Sequence, residues 1–487
     1  MASEKGNSIV TLIGGALLLG IVALVLAWLI TQGGVPLVGL LIAAPFAIGF
    51  AALCIARPRI GILAYLHCSF FVIGLTRFFP RDIPYGLSID VILGVTLLGT
   101  LFKAKRSDFK KINNTVFWLV FGWFAFCLLE LINPEARSKE AWFYAVRGLS
   151  MYWLLATPLI FIWFDKREDM NKFLRIWMVW SFFVALWGFK QQYVGLTSGE
   201  QYWLDTEGKQ THVLFGKMRS WSIYTDAGQF GAAMAHVCLF TLILAMGART
   251  LKRRMIYLFL AAVYFWGYAI AGSRGPLFII AGGFIMYLFL IKNFKMLTIG
   301  LSVAALCFVF LKYTNIGSGN YQIARMRTAL DPNDKSFQVR LENQKILKAY
   351  LASRPLGGGI GSGGSWGQRF TPGTLLAETA LDSWYVKVWV DTGIVGLILH
   401  IIQLLIMLYI GFKRVFFLED HDLRTKCMGL LAGFFGVAVA SYGNQIFGQL
   451  PTGTIMYFTI IYLYLCDKWD AAAPHPHTQP AKSLNFT

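Results

Sequence analysis

Apolar residues run through this chain in long stretches broken by short polar connections. A helical stretch of about 20 apolar residues is long enough to cross a hydrocarbon core of about 30 Å. Such stretches fall at 9–30, 35–56, 60–78, 86–102, 115–133, 143–164, 171–194, 225–247, 255–272, 275–291, 296–314, 384–411, 427–446 and 451–466. The pattern predicts an all-α, polytopic integral membrane protein with about 12–14 transmembrane helices. Residues 1–466 would form a single membrane domain, followed by a disordered cytoplasmic tail over 467–487. Composition narrows the class further. Of 487 residues, 56% are hydrophobic and only 14% charged, against about 25% in a soluble domain. That excludes a disordered protein, a secreted disulfide scaffold and nearly every soluble enzyme.

The formal charge of +19 would suggest nucleic acid in a soluble protein, but in a membrane protein Lys and Arg first report orientation. With the N-terminus inside, the cytoplasmic connections (Arg57 to Arg59, Lys103 to Lys111, Lys166 to Arg175, Arg249 to Arg254, Lys292 to Lys295, Lys413 to Lys426) hold two to five basic residues each. The short outward connections hold one or two. Both termini are therefore expected in the cytoplasm. The first apolar run lacks a cleavage site and reads as an anchor rather than a signal peptide. The seven cysteines lie in or beside spans, so no disulfide framework is expected. His475 and His477 read as part of a solvated tail.

Two outward segments break the charge rule. Residues 195–222 carry Lys209, Lys217 and Arg219. Residues 315–383 carry eight basic and five acidic residues. Lipid-headgroup contact or plain solubility would account for such loops; an anionic ligand met on the outer side is the functional alternative. Within the longer loop, 336–352 reads as a helix that Asp334 or Ser336 can cap and Pro355 stops. It sets Arg340, Gln344 and Lys348 on one face; for Lys348 a solvated position is the better reading. The glycine run from Gly357 to Gly364 could turn backbone N–H groups onto an oxyanion or serve as a hinge, and no P-loop Lys follows it.

Charges inside spans are costly unless paired or solvated. Glu130, Lys190, Asp226, Lys312 and Lys387 lie near outward ends, where snorkelling accounts for them; Asp90, Arg147 and Asp391 complete the set. His67, His236 and His400 read as packed or hydrogen-bonded core groups. Arg274 differs. It stands in Ala271-Gly272-Ser273-Arg274-Gly275-Pro276-Leu277, a tight outward turn between two apolar spans, where solubility requires no arginine.

These residues resemble the bacterial O-antigen ligase and O-antigen polymerase superfamily. Ser273-Arg274-Gly275 is similar to its Ser-Arg-Gly signature. Ser336-x-x-x-Arg340 and Pro355-Leu356-Gly357-x-Gly359-x-Gly361 are similar to its large periplasmic loop. Asp382-Ser383-Trp384-Tyr385 and Asp391-Thr392-Gly393-Ile394-Val395-Gly396-Leu397 resemble the loop's end, where the usual pattern is His-Asn-x-Tyr, then Glu-x-Gly-x-x-Gly-Leu. The segment Arg219 to Gly231 resembles a degenerate upstream motif. The motifs span 219–400, with the large periplasmic loop at 315–383 containing short helices.

The resemblance implies a metal-independent glycosyltransferase without a cofactor. It would move a glycan from an undecaprenyl-diphosphate carrier to an acceptor hydroxyl at the periplasmic face: lipid A-core, another glycan, or a protein. It further implies that Arg274 and Arg340 bind the donor diphosphate; Arg219 would assist, and Gly359 and Gly361 would join them in the diphosphate-binding set. Asp382, where the family has His, would be general base or acceptor-orienting group. Elementary chemistry agrees, since charge builds on diphosphate oxygens as the glycosidic bond breaks, and guanidiniums bind such oxygens in pairs while staying charged. A polysaccharide or lipid flippase is the competing class; it would show internal repeats, and the two halves carry none that is convincing. The partners expected are the lipid-linked glycan, its acceptor and membrane lipids, with no nucleic acid.

Overall fold

The computed structural model describes residue 39 and residues 42–79, 85–214, 216–331 and 333–472. The stretch at 9–30, the start of the one at 35–56, and both tail histidines lie outside the described residues. The other predicted spans are helical over most of their length, except that the one at 427–446 leaves the helix after Ala440. In chain order the helices are α1 (Ile42–Ala56), α2 (Pro58–Phe71), α3 (Leu87–Lys103), α4 (Thr115–Leu129), α5 (Lys139–Trp163), α6 (Arg167–Val194), α7 (Ala227–Met246), α8 (Leu251–Ile270), α9 (Leu277–Leu290) and α10 (Phe294–Tyr313). They continue with α11 (Tyr321–Thr328), α12 (Lys335–Leu351), α13 (Gly364–Phe370), α14 (Leu375–Glu378), α15 (Trp384–Phe417), α16 (His421–Ala440) and α17 (Thr452–Ala471). Among the described residues seven helical stretches are long and apolar enough to cross a membrane, and α1, α9 and most of α10 form shorter apolar helices. The chain is a multi-pass membrane protein.

The centre of the bundle is α7, which packs against α8, α9 and α16. It is buried along almost its whole length because Gly231, Ala232, Ala233 and Ala235 let neighbours approach on several sides. Such small residues drive helix association where lipid already solvates the larger apolar side chains. The crossing of α9 and α16 depends on Gly436, where a Cβ would sit 2.3 Å from the Ile279 carbonyl. Large apolar side chains such as Phe46, Phe102, Leu129 and Phe259 remain exposed on the outside of the bundle, as expected where hydrocarbon is the solvent.

The two ends of the bundle differ in chemistry. At one end the connections that carry the basic residues are laced by ion pairs: Lys111–Asp165 at 2.8 Å, Arg167–Asp420 at 2.9 Å and Arg59–Asp169. Here α17 runs past the predicted boundary at 467 to Ala471. Arg414 holds Asp467 at 2.5 Å, and Asp470 accepts from the Glu419 and Asp420 amides at 2.9 and 2.8 Å. The opposite end gathers the 195–226, 271–276, 314–383 and 441–451 segments.

Four of the charges read as snorkelling have specific partners instead. Lys387 pairs with Asp391 at 2.7 Å, Lys190 with Glu200 at 3.2 Å, Glu130 accepts from Asn133 at 2.6 Å, and Asp226 caps α7 through the Gly228 and Gln229 amides. Arg147, in a π-bulge of α5, pairs with Asp90 at 2.8 Å. Pairing removes most of the cost of carrying a charge into the bundle. His67 accepts from the Trp180 indole and His400 from the Trp384 indole, while His236 is packed against Trp177.

Candidate active site

The Arg274 turn is gripped from behind. A two-stranded ribbon, Val213–Leu214 paired with Lys217–Met218, delivers Arg219. Its Nε donates to the Ala271 carbonyl at 3.1 Å and its Nη1 to the Thr211 carbonyl at 2.8 Å. Arg325, on α11, donates to the Gly272 carbonyl at 3.4 Å. Burial, with the neighbouring Arg325, pulls the Arg219 guanidinium below its ordinary value; burial and Arg274 do the same to Arg325. Three cations thus crowd one turn, which favours an anion beside it. Arg274 itself reaches away from the turn, with Nη1 2.7 Å from Asp334 and 3.5 Å from the Thr328 carbonyl.

The second arginine is placed by α12. Asp334 caps this helix, accepting from the Phe337 amide at 3.1 Å. Further along the same stripe, Leu347 and Leu351 are buried against Leu376, Leu381 and Val390 and anchor the C-terminal half of the helix. Arg340 and Gln344, one turn apart, are left facing a cavity of about 630 Å³ whose wall also carries Arg274, Asp334, Asp382 and Lys312. Arg340 Nε donates to Asp382 at 3.2 Å. Asp382 immediately precedes Ser383, the N-cap of α15, so its backbone is held while its side chain stays 46% exposed. Lys348 is exposed and off the cavity.

The structure therefore brings Arg274, Arg340 and Asp382 together, with Arg219 as their support from behind. Gly359 and Gly361 are not among the residues lining that cavity. The Gly361 amide is already spent on Asp391, at 3.1 Å. Both glycines have positive φ, and a Cβ would meet Ala136 at 2.6 Å and the Ala141 carbonyl at 2.5 Å, respectively. The run is a close-packed joint rather than an anion cradle. It closes on Gly393, the kink of α15 (φ 65, ψ −170), where a Cβ would lie 1.9 Å from the Pro355 carbonyl.

Four contributors were not read as site residues from the sequence. Arg325 looked like any other loop charge, and Asp334 only like a helix cap. Tyr442 and Gly443, which also line the cavity, come from the α16–α17 connection beyond the motif region. The polar run Tyr442-Gly443-Asn444-Gln445, which falls inside the stretch predicted as a span at 427–446, was the available signal.

Comparison with known proteins meets this geometry at the same residues. Residues 256–401 match the family model described as O-antigen ligase. An O-antigen polymerase of Salmonella muenchen is 21% identical over 400 residues, covering 78% of this chain and 96% of that protein. The matched segment runs from α8 through the Arg274 turn, α12 and Asp382 into α15, so the resemblance read from the motifs is borne out.

Proposed function

We propose that this chain, which carries the O-antigen ligase family segment over residues 256–401, transfers a glycan from an undecaprenyl-diphosphate carrier to an acceptor hydroxyl at the periplasmic face of the bacterial inner membrane. The observation that carries the reading is the convergence of Arg274 and Arg340, from a turn and from a separate loop helix, on one cavity that also holds Asp382. The acceptor oxygen attacks the anomeric carbon, forming the new glycosidic bond. The bond from that carbon to the diphosphate oxygen breaks, and its electron pair leaves with the lipid diphosphate. The acceptor proton passes to the Asp382 carboxylate. Arg274 and Arg340 stabilise the charge that develops on the leaving oxygens. Direct displacement of this kind inverts the anomeric centre.

The orientation rests on the charge rule. The end laced with basic connections faces the cytoplasm, which leaves the cavity outside, where carrier-linked glycans are consumed. The relative named as a polymerase supports a glycan acceptor over a protein. The test is Arg340→Ala, together with a deletion strain, read by the surface-polysaccharide ladder. The variant inserts normally and gives the deletion phenotype. A core bearing a single repeat unit identifies a polymerase, and bare core with accumulated carrier-linked chains identifies a ligase. A normal ladder from Arg340→Ala, or translocation without covalent transfer, overturns the proposal.

A further inference from the structure

A second cavity, of about 800 Å³, lies beside the first and shares Ala380 and Asp382 with it. Its charges are matched internally: Arg147 is held by Asp90 at 2.8 Å, Lys387 by Asp391 at 2.7 Å, and Asp226 is spent on the α7 amides. What remains free is neutral. Gln229, only 2% exposed, uses its Nε2 on Thr452 at 2.9 Å and on the Leu450 carbonyl at 3.3 Å, while its buried Oε1 has no partner among the described residues. Asn444 likewise leaves its Nδ2 donor unpaired. Both residues line this cavity. An orphan acceptor and an orphan donor on one wall suit hydroxyl groups, each of which donates and accepts.

Another part of the lining is aromatic. Tyr144 stacks on Trp366 with centroids 4.9 Å apart and planes 20° apart, and on Phe370 at 5.5 Å and 15°. Arg147 and Arg369 lie 4.8 and 5.6 Å from the Tyr144 ring centroid. Tyr144 and Trp366 line the cavity. A rigid aromatic stack offers apolar contact area to the C–H faces of a pyranose at little entropic cost, while the amides meet its hydroxyls.

Resting on the reading of the first cavity as the donor site, we infer that the second cavity is the acceptor subsite, that it takes a neutral saccharide, and that it presents one sugar hydroxyl to Asp382 across the shared wall. Asp382 is then the carboxylate that sees both substrates. A peptide acceptor has no use for the stacked aromatic wall, and the two cations that line the cavity, Arg147 and Lys387, are already paired with carboxylates.

The test uses the full-length protein in lipid nanodiscs with three probes: undecaprenyl diphosphate for binding, the host's undecaprenyl-diphosphate-linked glycan as donor for the rates, and the oligosaccharide released by mild acid from the host's own lipopolysaccharide. Saturation-transfer NMR reads the saccharide, and steady-state rates give KM for donor and acceptor separately. Trp366→Leu weakens saccharide binding and raises acceptor KM by about tenfold, with undecaprenyl diphosphate binding unchanged; that unchanged binding also shows the variant is folded. Trp366→Phe restores most of the saccharide binding. Arg340→Ala loses the lipid diphosphate and keeps the saccharide. Unaltered saccharide binding in Trp366→Leu, equal changes in both KM values, or transfer to a Ser-containing peptide in place of the oligosaccharide overturns the inference. Failure of Arg340→Ala to affect lipid diphosphate, with the Trp366→Leu effect intact, overturns the donor assignment alone.

Discussion

Replacing Arg274 by Lys separates charge from geometry at the centre of the site. In the structure Arg274 and Asp334 are 2.7 Å apart with 15% and 17% of their side chains exposed, so the pair is largely shielded from solvent. Lysine keeps the positive charge but loses the planar fork that binds two oxygens at once. One charge-assisted hydrogen bond to the diphosphate is lost, costing about 1.5–3 kcal/mol, which lowers kcat/KM for the donor by about 10- to 150-fold. Alanine removes the charge as well and sets the Asp334 carboxylate, without its guanidinium, beside an incoming dianion. Stripping one partner from a shielded pair costs about 3–5 kcal/mol, so transfer falls by at least about 150-fold. Much of that loss would come from the repulsion between the Asp334 carboxylate, stripped of the Arg274 charge, and the diphosphate. Arg274→Ala combined with Asp334→Asn therefore recovers about tenfold over Arg274→Ala alone, because Asn still caps α12 while carrying no charge. The assay is the initial rate of glycan transfer in nanodiscs at varied donor concentration, with thermal unfolding as the control for folding. Wild-type kinetics for Arg274→Lys, or a double variant no faster than Arg274→Ala, would refute the reasoning.

Two further predictions concern the frame of the site. Burial pulls the His212 ring down to about 4, against about 6.5 in an unfolded chain. Its neutral Nε2 accepts from the Ala227 amide at 3.2 Å, and its carbonyl accepts from the Arg219 amide at 2.8 Å. Between those values the unfolded chain takes up a proton that the folded one refuses. The stabilisation is full above about pH 6.5 and lost as pH falls toward 4, by about 3 kcal/mol in all. Thermal melts from pH 7.5 to 4.5 should show this slope, flattened in His212→Gln; equal slopes in both proteins would contradict it. Gly393→Ala places a Cβ against the Pro355 carbonyl in a backbone region that is essentially reserved for glycine. The strain alone costs about 1–3 kcal/mol. It pushes the glycine joint off α15, so the melting temperature and the transfer rate should fall together, and a fully active, equally stable variant would refute the joint.

What was legible in the sequence was local. Arg274 stood out because a tight apolar turn offers no other reason for an arginine. The span from Asp334 to Leu351 carries its own start and stop signals, and the structure realises both. The long helices announced themselves by length, since a bilayer must be crossed within one segment. What was not legible depends on residues that meet only in the fold. Lys387 and Asp391, four apart, could have been paired on sight, yet Arg147 finds Asp90 across two helices. Arg219 reads as one more cation for the diphosphate until its donors are seen to be committed to two carbonyls behind the turn. The glycine run suggested an anion cradle because positive φ and exposed amides look alike in sequence whether the partner is a phosphate or the chain's own backbone. Pro355 and Ala141 supply that backbone here, and no pattern within 357–364 names them. The same reason hides the second cavity. Tyr144, Gln229, Trp366 and Asn444 come from four separate stretches, and nothing in any one of them points to the other three. Only their packing leaves an orphan donor, an orphan acceptor and a stacked aromatic wall around one space, with Asp382 on the partition.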